Sequence, residues 1–97
     1  MTSIQIVEIV GSFAEDKDKA REIRVNVLIP ALEKKDEVTL DFSGVDSATQ
    51  SFIHALISDL FRKFGNDVLD RIAFKNCSDD VKKIINIVVS YMQEGDE

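Results

Sequence analysis

The chain is short of most of the residues from which chemical sites are built. It has one cysteine, one histidine, one proline, four glycines and no tryptophan in 97 residues. The lone Cys77 excludes an internal disulfide and fits a reducing compartment. Gly11, Gly44, Gly65 and Gly95 each stand alone, so there is no glycine-rich phosphate loop. One His and one Cys among scattered carboxylates lack the spacing of metal ligands, and no metal or cofactor is expected. No apolar run approaches the roughly 18 residues of a membrane helix. The first ten residues lack the basic start and apolar run of a signal peptide. Basic residues are the minority: 12 Lys and Arg face 18 Asp and Glu, for a formal charge of -6 and a pI near 4.7. Phosphate binding needs clustered Lys and Arg, so nucleic acid is disfavoured as a partner, as is an anionic membrane surface. The expected location is the cytoplasm.

What is present suits one small domain over residues 1–97, with an acidic tail at about 94–97. The hydrophobic fraction of 44% is enough for one core. Alternation predicts a strand over residues 3–10, with Ile4, Ile6 and Val10 on one face, ended by Gly11 and Ser12. Residues 16–35 keep a helical spacing through Ala20, Ile23, Val27 and Ala31. Pro30 lies inside that segment and should bend it, and the run from Arg24 to Ile29 is rich in β-branched residues. Residues 37–42 form a second strand, with Val38, Leu40 and Phe42 on one face. Thr49 or Ser47 then caps a helix that runs to about Lys63, with Gly65 and Asn66 as its stop. Residues 70–75 form a third strand, and Ser78 or Asp79 caps a last helix. The order β-α-β-α-β-α implies an α/β fold: a mostly parallel sheet with right-handed crossovers and about three helices, mainly on one face or unevenly on two.

The junction between the second strand and its helix is the candidate site. In parallel α/β proteins sites collect at the C-terminal ends of strands. Asp46, Ser47, Thr49 and Ser51 crowd this one. Ser51 falls in the first helical turn, where a phosphate would meet free N–H groups and add about -1.5 to -2 charges. The plain structural explanation is that these hydroxyls cap and start a helix. On a helical wheel Ser51, Ala55, Ser58 and Arg62 share a face opposite Phe52, Leu56 and Leu60, with His54 at the border. Small residues let another backbone come close. A Ser51–His54 pair three apart on one helix has no orienting carboxylate and no oxyanion hole, so catalysis is not expected. Cys77 lies between a strand and a capped helix, where its thiolate could be stabilised, or where it simply fills a strand end.

Leu40 to Val45 (LDFSGV) followed by Thr49 to Phe52 (TQSF) resembles the STAS superfamily, the fold of bacterial anti-sigma-factor antagonists. More narrowly, the chain looks like the STAS-like family of unknown function, whose Leu-Asp-Phe-x-x-Val strand, Ser-Phe pair and strand-end Asn are matched by Leu40, Asp41, Phe42 and Val45, by Ser51 and Phe52, and by Asn76. In the antagonists an Asp-Ser-Ser-Gly loop carries a serine phosphorylated by a histidine-kinase-type ATPase that is also the anti-sigma factor. Its positions fall on Thr49, Gln50, Ser51 and Phe52, and only the acceptor serine matches. The resemblance implies a STAS-like sandwich and a non-enzymatic, regulatory, protein-binding role. In it the 43–62 surface docks a partner, Ser51 is the phosphoacceptor, and Ser47, Thr49, His54, Ala55, Ser58 and Arg62 are partner contacts. The alternative is a small-molecule or nucleotide binder using the loops at the strand C-terminal ends. An enzyme would need a second acid–base group near His54.

Overall fold

The strand expected first is cut short by its own neighbours. In the computed structural model, which describes residues 2–94, β1 covers only Thr2–Gln5. The Ile6 N–H donates to the Asp41 carbonyl at 3.0 Å and ends the ladder. The chain then winds into one helical turn, α1 (Val7–Val10), whose hydrogen bonds run back to Ile6 and Val7. Ile6 is buried completely. Tertiary packing has overridden the β propensity of an Ile/Val run. Gly44 explains how: a side chain there would lie 3.2 Å from Val7 Cγ2, and its φ of +87° is one that L-residues rarely adopt. Glycine lets the two segments meet without strain.

The sheet is all parallel. β1, β3 (Val38–Asp41) and β5 (Ile72–Lys75) lie in the order β1-β3-β5, with Ile4, Leu40 and Phe74 in one row. β3 is central, and Val38, Thr39 and Leu40 are all buried. β5 begins two residues later than the expected 70, because Asn66–Arg71 forms a 3₁₀ turn first. A second ladder was not legible in the sequence: β2 (Phe13–Ala14) pairs with β4 (Ser47–Ala48), two residues each.

The segment 16–35 is one helical stretch, as expected. It runs as α2 (Lys17–Ile23), a π-helical turn over Arg24–Leu28, and α3 (Ile29–Glu33). Asp16 caps it by accepting from the N–H groups of Asp18 and Lys19. Pro30 has no N–H and its ring crowds the preceding turn, and the widened π turn before it makes that room. Arg71 closes the far end by donating to the Leu32 carbonyl.

α4 (Gln50–Phe64) and α5 (Asp79–Glu94) complete the chain. The strand order advances in one direction, so right-handed crossovers place the helices on one face of the sheet. Accordingly α2 and α5 both pack against α4. Between helices and sheet, Leu40, Phe42, Phe52, Ile53, Leu56, Ile57 and Leu60 are fully buried. The other sheet face carries exposed Ser3, Gln5, Ala73 and Lys75 around Thr39, which is 8% exposed. Of the expected acidic tail, Glu94 ends α5 and residues 95–97 lie outside the described residues. No helix of the described residues is long and apolar enough to cross a membrane.

Candidate functional site

Two residues of the strand motif meet at the C-terminal edge of the sheet. Asp41 Oδ1 accepts from the Ser43 N–H at 2.9 Å and from Asn76 Nδ2 at 3.1 Å. These two bonds hold the Asp41 carboxyl below the usual carboxylate range, with Lys75 adding to the effect. Asn76 sits at φ +58°, a left-handed position that asparagine tolerates better than most residues. The shared acceptor joins the turn after β3 to the turn after β5.

The loop that follows is tied down on both sides. Asp46 donates its N–H to the Ser12 carbonyl at 2.7 Å, and Thr49 donates its N–H to the Ala14 carbonyl at 2.9 Å. The Ser78 hydroxyl donates to the Asp46 carbonyl at 2.8 Å and accepts from the Val81 N–H, which starts α5. Thr49 Oγ1 accepts from the Phe52 N–H at 3.1 Å. Thr49 is therefore the cap of α4, and its hydroxyl is occupied. Ser47, the other capping candidate, is half-buried in β4.

Beyond the cap the sequence-based stripe divides. Ser51 is exposed and its hydroxyl makes no hydrogen bond among the described residues. With Gln50, His54 and Ala55 it lines a groove of about 520 Å³, completed by Lys17 of α2 and by Ile87, Val88 and Tyr91 of α5. Tyr91 is 77% exposed. Phe52, next in the chain, is fully buried and leaves this side of Ser51 open.

Ser58, expected on the exposed face, is instead only 9% exposed. α2 packs against α4, and Arg24 from the π turn that follows α2 helps to close this flank: its guanidinium donates to the Ala55 carbonyl and pairs with Asp59 Oδ2 at 3.2 Å. Arg62 is exposed, pairs with Asp59 at 3.6 Å and is not among the groove's lining residues. Thus the structure gathers Ser51, His54 and Ala55, separates Arg62 from them, and turns Ser58 inward.

Lys17, Ile87 and Tyr91 were missed. Tyr91 left a signal, as an aromatic residue outside the apolar stripe of its helix. The pairing of α5 with the first turns of α4 left none. Cys77 is half-buried, and burial first of all pushes its thiol up, against the pull of Lys82. That favours the strand-end reading over a stabilised thiolate. Among the described residues no group of His, Cys, Asp and Glu could hold a metal ion.

Comparison with curated proteins and with solved structures gives no match. A family model does match: residues 19–82 fit the STAS-like domain of unknown function (DUF4325). That span runs from α2 through both motif turns to the start of α5, and with the parallel sheet and one-sided helices it shows that the chain belongs to this STAS-like family.

Proposed function

We propose that the chain is a non-enzymatic regulatory module that docks a protein partner on the surface formed by the first turns of α4 and the facing side of α5. Ser51 is its phosphorylation switch, and the partner is a histidine-kinase-type ATPase acting as a serine kinase. The observation that carries the reading is Ser51 itself: an exposed, unengaged hydroxyl on the rim of a groove with an apolar floor. In the reaction Ser51 Oγ takes the γ-phosphoryl group of ATP, ADP leaves, and the hydroxyl proton passes to a base on the kinase. The new charge then weakens a close-packed interface by repulsion and desolvation. His54, Ala55 and Tyr91 are the contacts this geometry favours. Ser47, Thr49 and Ser58 act by shaping the surface from below.

The groove also gives the small-ligand reading its one supporting observation, since its volume falls in the range of small-molecule sites. Such sites bury most of their ligand. Here Lys17, Ser51, His54 and Tyr91 are all exposed, which fits a protein surface better.

The test is affinity capture from native extract with wild type and Ser51→Asp, both checked as folded. A partner held by wild type and lost by Ser51→Asp supports the switched module. Equal capture by both removes the switch. Tyr91 is the only tyrosine, so a single ring-labelled tyrosine in this chain gives NMR signals that report on whether the captured partner covers the groove.

A further inference from the structure

We propose that a phosphate on Ser51 is held by Lys17 of the same chain, so that modification ties α2 to α4 across the groove mouth and covers its apolar floor. The inference rests on Ser51 being the phosphoacceptor, and it adds what the phosphate does to this chain's own surface.

Lys17 and Ser51 come from different helices yet line one groove. Both are exposed, so neither has to be freed from packing. Lys17 makes no ion pair among the described residues, whereas Lys19 pairs with Glu22 at 3.9 Å and Lys63 with Glu33 at 3.4 Å. Of the groove's lining residues Lys17 is the only lysine or arginine, and none is acidic. Glu15, Asp16 and Asp18 flank Lys17 along the chain, but Asp16 is engaged in capping α2. His54, one turn after Ser51, is the other group on the groove able to carry positive charge. A dianion at Ser51 therefore finds one cross-groove partner.

The chemistry of the two groups suits the contact. A phosphoserine offers three strong acceptor oxygens, and a lysine offers three donors on a flexible stem. The floor beneath them is Ala55, Ile87 and Val88. Bridging Lys17 to Ser51 takes those side chains from a partner, in addition to repelling it. Modification thus acts by occupying the groove as well as by adding charge to it.

The experiment installs phosphoserine at position 51 of the full chain by codon suppression and follows its second ionisation by ³¹P NMR. In wild type that ionisation should lie roughly half a pH unit lower than in an unfolded peptide of the same local sequence, as for an exposed ion pair. Lys17→Met and Lys17→Gln should remove part of the lowering, the rest coming from the free N–H groups of the first turn of α4 and staying in both variants. Lys19→Met, which takes the same charge from the same helix outside the groove, should keep the full lowering. The proposal is overturned if the Lys17 variants change the ionisation no more than Lys19→Met does. No kinase is involved, so this outcome is independent of whether Ser51 is modified in cells, which the capture experiment addresses.

Discussion

The two halves of the small-residue stripe on α4 have similar side chains and opposite fates. Ser51 and Ala55 face a groove shared with α5, while Ser58, two turns on from Ser51, is buried. The difference comes from a segment far away in the chain. Arg24, 13% exposed, reaches from the π turn to the Ala55 carbonyl and Asp59 and helps to seal the second half. Small residues on a helix invite a close neighbour, but they do not say whether that neighbour belongs to the same molecule. Here the chain supplies its own neighbour for one half and leaves the other open.

The comparison can be broken most severely at the helix's buried side. Leu56→Asp puts an unpaired charge where nothing is exposed and should cost more than about 4 kcal/mol, enough to lose the dispersed NMR spectrum of a folded chain. A spectrum that stays dispersed would overturn the assigned orientation of α4. The two halves are contrasted directly by introducing the same side chain in each. Ser58→Arg should destabilise by roughly 2 kcal/mol through overpacking, read as a lower urea midpoint. Ala55→Arg should cost less than about 1 kcal/mol, because its long side chain can run along the open groove, yet it should abolish partner capture. Equal destabilisation would mean that the halves are alike.

Arg24→Ala tests the seal. It removes two charge-assisted contacts and should cost about 2 kcal/mol, while raising hydrogen exchange at Ser58 and Asp59 and leaving Ser51 and Gln50 unaltered. The smallest expected effect is at the motif turn. The Asp41 carboxyl has a lowered pKa in the fold, so its contribution is complete above the usual carboxylate range and is lost as pH falls through the folded value. Asp41→Asn should therefore flatten the loss of stability below about pH 4 in urea titrations. An unchanged acid slope would show that the Ser43 and Asn76 bonds do not favour the ionised form.

Much of the fold was legible because local rules and burial agreed. The Thr49 and Ser78 caps, the long helices after β3 and β5, and the helical stretch that continues across Pro30 all follow from residues acting within a few positions. The first strand was overread, since alternation over residues 3–10 does not register that Ile6 turns inward and that Gly44 admits Val7. The π turn was not foreseen either, although Pro30 and the β-branched run before it were the signal. At the candidate site Ser51, His54 and Ala55 were legible from helical spacing. Ser58 was misplaced because a wheel describes one helix without its neighbours.

By itself the sequence determined the class of fold, the parallel strands and the position of Ser51 in the first turn of α4. Those features follow from hydrophobic period, capping hydroxyls and chain order, all encoded locally. Only the tertiary structure decided which small residues face solvent. That outcome depends on where Arg24, Lys17 and Tyr91 arrive from other helices, and residues far apart in sequence leave no periodic trace of meeting. The same holds for the Asp41–Asn76 contact, in which two strand ends share one carboxylate oxygen because the sheet sets them side by side.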